Sequence, residues 1–364
     1  MTDSTCRTIK VSCVDARSGA RASLLRLAWA LSAAATLSAC GGGSPAMAPA
    51  AGTPPASGKV FALMDPGEST LSMNRYAGLA SVDGLAFRSL WGALESRKGV
   101  YDWSTLDAAM DAVRAQNKRL TVHVAVSGQA APAWLVADGA AYYSAQSPLG
   151  VVAGPVPWDS VYLRNIATFV AALSAHIRSR GDMDLVALVS DGAPISEMTL
   201  VGCQNNLLGT VSYSRSVYLD AWRTTVAAYA QAFTGTTLLI SAPVSLICAN
   251  DADGKAFYSE VMNYALSQSS AIGIFAADLK ASGTGSQRMD QVDESIRSRA
   301  SVNFQTIWSA TNDPNARMQG TLDQAVCKGW SLGGRYFEIY KADIDNPSST
   351  IQAAVTRART GPGC

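Results

Sequence analysis

From residue 59 onward the chain alternates short apolar runs with longer stretches whose apolar residues recur three and four positions apart. The runs are KVFALMD (59–65), GLAFRSLW (84–91), RLTVHVAV (119–126), DLVALVS (184–190), TTLLISAPV (236–244), AIGIFAADL (271–279), VNFQTIWSA (302–310) and RYFEIYKAD (335–343). Their length and Val, Ile, Leu and Phe content predict buried β-strands. Between them, TLDAAMDAVRAQN (105–117), WDSVYLRNIATFVAALSAHIRSR (158–180), SVYLDAWRTTVAAYAQAF (216–233), AFYSEVMNYALSQ (256–268) and TLDQAVCKGWSLGG (321–334) predict amphipathic helices. Trp158-Asp159 marks an N-cap region, and the glycines at the end of the 321–334 stretch mark a helix stop. IQAAVTRART (351–360) supplies a last helix.

Eight strand-like runs, each followed by a helix or loop, predict an α/β fold of the (β/α)8, or TIM barrel, type as a single domain over 59–364. A doubly wound sheet is the competing architecture. No G-x-G-x-x-G follows the first run and no G-x-x-x-x-G-K-[ST] occurs, which disfavours its nucleotide-binding forms. A barrel builds its chemistry from the C-terminal ends of its strands. The polar and aromatic residues at those ends are Asp65, Arg88, Trp91, His123, Trp134, Asp191, Glu197, Asp278, Gln305, Trp308, Glu338, Tyr340 and Asp343. Flat tryptophan rings there suit the apolar C–H faces of sugars, and they equally suit rim packing.

The first 58 residues have a different character. Arg17, Arg21 and Arg26 precede LAWALSAAATLSAC (27–40), an apolar stretch too short to span a membrane but proportioned like a secretory signal. LSAC (37–40) is similar to a bacterial lipobox, which makes Cys40 the expected lipidated first residue; the alternatives are an ordinary signal peptide and, from the long polar leader before Arg17, a start assigned too far upstream. Acyl chains contribute about 0.8 kcal/mol per buried methylene, so a multiply acylated cysteine is a firm anchor. Residues 41–58 are then a flexible tether. Gly41 stands where an Asp would favour the inner membrane, so the expectation is the outer membrane.

Export leaves Cys203, Cys248, Cys327 and Cys364 in an oxidising compartment, enough for two disulfides with three possible pairings. In a barrel, Cys203 and Cys248 follow strands four and five at one rim, while Cys327 and Cys364 fall late in the chain near the opposite face. The expected bridges are therefore 203–248 and 327–364. A net charge of +1 gives no electrostatic reason to expect nucleic acid. With two histidines and no C-x-x-C or H-E-x-x-H spacing, no metal or cofactor is implied.

The most specific block is 84–135, GLAFRSLWGALESRKGVYDWSTLDAAMDAVRAQNKRLTVHVAVSGQAAPAWL. Arg88, Trp91, Glu95, Gly99, Tyr101, Asp102, Trp103, Asp107, Pro132, Trp134 and Leu135 resemble a run found in glycoside hydrolases of clan A, especially the β-galactosidase-like family 42. That resemblance implies a barrel and a carbohydrate substrate. It also implies that Arg88 supports a catalytic carboxylate, that His123 lines the substrate pocket and that Glu95 is a surface or structural position, not a catalytic one. Glu197, after the fourth strand, matches the place of the clan's general acid/base, although Ser196 precedes it where the clan often has Asn. The Gly-Pro loop of SDGAPISEM (190–198) is like the one that carries the acid in β-amylase-type barrels.

The clan takes its nucleophile from a glutamate ending the seventh strand, and the seventh run here offers Gln305. An amide cannot attack an anomeric carbon as a carboxylate does. Glu338 in the eighth run is the best second carboxylate, since a glutamate inside an apolar strand is costly unless it is paired or functional. Either the strand count is off by one or the carboxylate has moved to strand eight. Hydrolysis asks for two carboxylates, about 5 to 5.5 Å apart for retention or about 6.5 to 9.5 Å for inversion. The expected function is hydrolysis of a β-linked oligo- or polysaccharide by Glu197 and Glu338, with Arg88, Trp91, His123, Trp134, Asp191, Asp278, Gln305, Trp308 and Tyr340 holding substrate. The alternatives are an inactive barrel that binds carbohydrate at the cell surface and a structural lipoprotein without a sugar site.

Overall fold

The computed structural model describes residues 57–147, 150–192, 211–241, 251–282, 289 and 292–361. All of them belong to one compact unit, 51–364. Its strands are β1 (Lys59–Leu63), β2 (Gly84–Leu90), β3 (Arg119–Ala125), β4 (Tyr142–Ser147), β5 (Gly150–Pro155), β6 (Val186–Ser190), β7 (Thr237–Ser241), β8 (Ile272–Leu279), β9 (Ser301–Thr306) and β10 (Gly334–Tyr340). Eight of these close into a barrel in the order β1-β10-β9-β8-β7-β6-β3-β2. Every neighbouring pair in it is parallel. This is the (β/α)8 architecture, and its eight strands are the eight predicted runs. Gln305 and Glu338 therefore do lie on the seventh and eighth barrel strands, with no slip in the count.

The helices among the described residues are α1 (Thr70–Gly78), α2 (Trp91–Leu94), α3 (Ser104–Ala115), α4 (Trp134–Ala137), α5 (Ser160–Ser179), α6 (Arg215–Ala232), α7 (Asp251–Gln268), α8 (Glu294–Arg297), α9 (Leu322–Ser331), α10 (Lys341–Ile344) and α11 (Ser349–Thr360). Local chemistry sets their ends. Asp159 caps α5 by accepting from the amides of Val161 and Tyr162, each at 2.9 Å, as its position before the apolar pattern predicts. Thr321 and Gln324 form a reciprocal capping box at the start of α9. Just past that helix, Gly333 has a φ of 91°, a left-handed turn that a β-carbon would strain.

Successive strand residues point to opposite faces, and the burial pattern sorts them. Phe61, Leu63, Ala86, Leu188, Leu239, Phe275 and Tyr336 form one cluster inside the barrel. Their neighbours, including Val60, Ala62, Leu85, Phe87, Val122, Val124, Ile274 and Ile339, join a larger core under the helices. Both faces are dry, so the strands show continuous apolar runs rather than alternation.

The antiparallel hairpin β4–β5 is a departure from the predicted elements. It sits outside the barrel between β3 and α5, and Gly154 meets the turn at Gly128 so closely that a β-carbon would lie 2.5 Å from the Gly128 Cα. Its segment interrupts its apolar residues irregularly with Ser, Gln, Gly and Pro, so no period stands out in it.

In the helix shell, Phe169 of α5 is fully buried, with ring centroids 5.4 Å from Trp91, 6.5 Å from Tyr101 and 6.1 Å from Trp103. Truncating it opens a cavity that this aromatic cluster cannot close. Phe169→Ala should lower unfolding stability by about 3–5 kcal/mol. A shift in the denaturant midpoint with an unchanged slope would check it; a midpoint within error of wild type would show that the cluster does not hold the shell.

Candidate functional site

Glu338 lies on β10 two residues from Tyr336, which lines the barrel interior, so the period of two carries its side chain inward as well. It is completely buried. Its Oε1 accepts from the Tyr336 hydroxyl at 2.6 Å and lies 2.6 Å from Nε2 of His123 on β3. The Tyr336 oxygen in turn lies 2.7 Å from Thr121 Oγ1. A hydroxyl has one proton, so Tyr336 donates to the carboxylate when it accepts from the threonine. Four side chains from two strands thus form one polar chain in an apolar interior. Burial, then the charge of Glu338, pushes the Tyr336 hydroxyl pKa well up, which keeps it a proton donor.

The other carboxylate oxygen, Oε2, is buried and has no hydrogen-bond partner among the described residues. An unpaired buried carboxylate oxygen is costly, and such orphans call for an explanation in function or in a ligand. The His123 ring packs against Phe275 of β8, with centroids 5.1 Å apart, which restrains the imidazole. Gln305 of β9 is in register with Glu338, directly beside it on the sheet.

Nearer the strand ends the arrangement is ionic and aromatic. Arg88 of β2 donates from Nε to the Met64 carbonyl at 2.7 Å and from Nη2 to Asp65 at 2.8 Å. Asp65 also pairs with Lys341 at 2.9 Å, and Lys341 contacts Glu68. Among the described residues the carboxylate that Arg88 holds is Asp65. Trp308 packs on Tyr340 with centroids 5.9 Å apart, and the Arg317 guanidinium covers the indole at 4.4 Å. Trp308, Tyr340, Arg88 and His123 are all partly exposed.

Other predicted site residues are elsewhere. Trp91 is fully buried, with its Nε1 donating to Glu95 at 2.7 Å, so it has no face to offer a sugar; the reason is that α2 begins at Trp91 and turns the ring into the shell. Trp134 donates to the Glu95 carbonyl at 2.9 Å and meets Trp91 edge-on at 5.9 Å, leaving it only partly exposed. Glu95 accepts from both Trp91 and the Gly99 amide, a structural role as expected. Asp191 is fully buried at the end of β6 and accepts from the Ser241 amide at 3.1 Å and hydroxyl at 3.0 Å, which ties the ends of β6 and β7. Asp343, also fully buried, accepts from Ser309, Ala310 and Thr311 and holds the loop after β9.

Glu197, Cys203, Cys248 and Cys364 lie outside the described residues, as do Cys40 and the 41–56 part of the expected tether. Cys327 in α9 is disulfide-bonded. No group of three or more His, Cys, Asp or Glu side chains among the described residues is arranged to hold a metal ion. Tyr336 and Thr121 were not among the predicted site residues. The signal that finds them is the period of two: Tyr336 is i−2 from Glu338 and Thr121 is i−2 from His123.

No family model matches the sequence, and no curated protein matches it. Among solved structures, the chain is similar to an exo-β-1,4-mannosidase from Opitutaceae bacterium strain TAV5, with 14% identity and a TM-score of 0.46 over 80% of this chain and 54% of that one. The chain thus spans about half the length of that enzyme. It is also similar to xylanase B from Clostridium stercorarium F9 (11% identity, TM-score 0.46, 78% of this chain and 86% of that one). A third is a β-glucosidase, 1317 (12% identity, TM-score 0.47, 81% and 88%).

Asp278, at the bulged end of β8, is largely buried, and burial raises its pKa to about 8 despite the ammonium groups of Lys280 and Lys328. Its Oδ2 has no partner among the described residues. Between the ordinary aspartate value of about 3.9 and about 8, the folded chain keeps a proton that the unfolded chain has released. Stability therefore falls as pH rises through that window and is level outside it. The difference in Tm between wild type and Asp278→Asn should grow in the variant's favour across the window; parallel Tm curves would refute the buried acid.

Proposed function

We propose that the chain is a glycoside hydrolase acting on a β-linked oligo- or polysaccharide, with Glu197 as general acid/base and Glu338 as nucleophile or as the base that activates water. The observation that carries this reading is the state of Glu338. One oxygen is held by His123 and Tyr336 while the other is unpartnered inside the barrel. A carboxylate fixed from one side keeps its second oxygen available for an anomeric carbon or a water, and it cannot rotate away. The Trp308–Tyr340 pair at the ends of β9 and β10 supplies aromatic surface for a sugar ring. In this reading Cys40 carries the lipid anchor at the outer membrane, and disulfides 203–248 and 327–364 brace the two ends of the barrel.

A second reading, a barrel that binds carbohydrate without cleaving it, is favoured by two facts. Gln305 occupies the seventh-strand position beside Glu338, and Glu338 itself is shut off from solvent among the described residues.

Turnover of a panel of aryl β-glycosides separates the two. Hydrolysis by wild type should fall by at least about 10²-fold in both Glu197→Gln and Glu338→Gln. Equal rates in wild type and variants would sink the assignment. Tight glycan binding with no turnover in wild type would establish the second reading.

A further inference from the structure

The barrel end opposite the candidate site holds an open depression of about 1240 Å³. Lys59, Arg119, Thr237 and Ser301, the first residues of β1, β3, β7 and β9, line it, so it opens at the N-terminal ends of the strands. Phe61, Leu188 and Tyr336, inward-facing barrel residues, line its deeper part. Of the residues on this face only Tyr336 enters the proposed hydrolysis, through its hydrogen bond to Glu338.

Its charge is out of keeping with the rest of the domain. Five of the 29 basic and two of the 28 acidic residues precede residue 57, so the remainder of the chain carries 24 against 26. Yet the depression is lined by six cations, Lys59, Lys118, Arg119, Arg297, Arg335 and Arg359, against only Asp83 and Glu294. A domain with a slight negative excess has gathered an excess of four positive charges in one concavity. Low-dielectric walls focus such a field and raise the local concentration of anions.

The cations are also incompletely used. Lys59 and Arg359 share Asp83, and Arg297 pairs with Glu294. Lys118 donates to the Leu79 carbonyl, and Arg335 to the carbonyls of Trp330 and Gly334 while its guanidinium stacks 4.2 Å from the Trp330 ring. Arg119 is exposed, and among the described residues no carboxylate holds it. The Nε atoms of Arg297 and Arg335 are buried with no acceptor among the described residues. The three lining cations without a carboxylate among the described residues, Lys118, Arg119 and Arg335, make a set that an oxyanion completes, since the planar guanidinium fork matches carboxylate and phosphate geometry. The hydroxyls of Thr237, Ser298 and Ser301 add neutral donors among them.

We propose that this depression is a binding site for a multiply charged phosphate-type anion, distinct from the candidate carbohydrate site and independent of whether the barrel hydrolyses. Its charges are spread around the rim of an open concavity rather than converging on one point. That distribution suits several linked phosphates or several headgroups better than a single ion. A soluble polyphosphate and the headgroups of an anionic phospholipid share this chemistry, and the expected lipidation of Cys40 makes the second source available to the chain.

The purified full-length chain should be titrated calorimetrically with tripolyphosphate, and sedimented with phosphatidylcholine vesicles with and without phosphatidylglycerol. Saturable tripolyphosphate binding that weakens with added salt supports the free anion as ligand. Salt-sensitive binding that depends on phosphatidylglycerol, without tripolyphosphate binding, supports the headgroup. In either case Arg119→Glu should weaken binding about tenfold or more. Lys59→Glu, also at an exposed rim position, should weaken it in the same direction, while Arg164→Ala, an exposed cation of α5 outside the depression, should not. Binding equal in all variants, or no salt-sensitive binding to either probe, overturns the proposal.

Discussion

Closing a parallel sheet on itself puts every second strand residue into an interior that side chains fill and water does not. Everything else about this domain follows from that constraint. An inward residue is either apolar, like Phe61, Leu188, Leu239 and Phe275, or polar with its partner provided by another strand. Glu338 is the inward residue that tests the rule hardest. A carboxylate buried there without partners would cost several kcal/mol or take up a proton. His123 and Tyr336 meet one of its oxygens and Thr121 extends the chain, so the polar residues of β3 and β10 form a single unit reaching across the barrel.

The same constraint separates scaffold from site in the block that most resembles a known family. Trp91, Glu95, Gly99, Tyr101, Trp103 and Trp134 are bound to one another and to Phe169 in the shell between β2, α3 and α5. They fix the loop after β2 and the start of α3. A run of this kind is informative about architecture because aromatic packing and buried hydrogen bonds tolerate few substitutions. It says less about chemistry, which depends on the few side chains that turn inward or upward from the strand ends. Asp191 and Asp343 make the same point. Both sit at strand ends where a barrel keeps its catalytic groups, and the hydrogen bonds of both tie loops to strands.

The two ends of the barrel carry different electrostatics. At the C-terminal ends, Arg88, Asp65, Lys341 and Glu68 neutralise one another in a connected set. At the N-terminal ends, cations outnumber carboxylates, and Lys118 and Arg335 lean on backbone carbonyls. A barrel has no sheet edge to use for recognition, so its two open ends are where ligands of different chemistry have room to bind.

The fold was legible in the sequence because a doubly buried parallel strand needs an apolar residue at nearly every position and each crossover needs an amphipathic helix. Both leave marks in a single chain, and all eight barrel strands and the cap at Asp159 could be found from them. The hairpin at 142–155 left no such mark, because its short, mixed strands pack against a loop and not into the barrel. The presence of a costly glutamate in an apolar strand was likewise visible in the sequence, as was the absence of one at Gln305. What tertiary structure alone decided was the company each residue keeps. Glu338 meets His123 across 215 positions of chain, and Trp91 is buried in the helix shell while Trp308 stays at the rim. Periodicity records which face a residue occupies, but hydrogen-bond partners and exposure depend on which distant segments close over that face, and no local pattern encodes that.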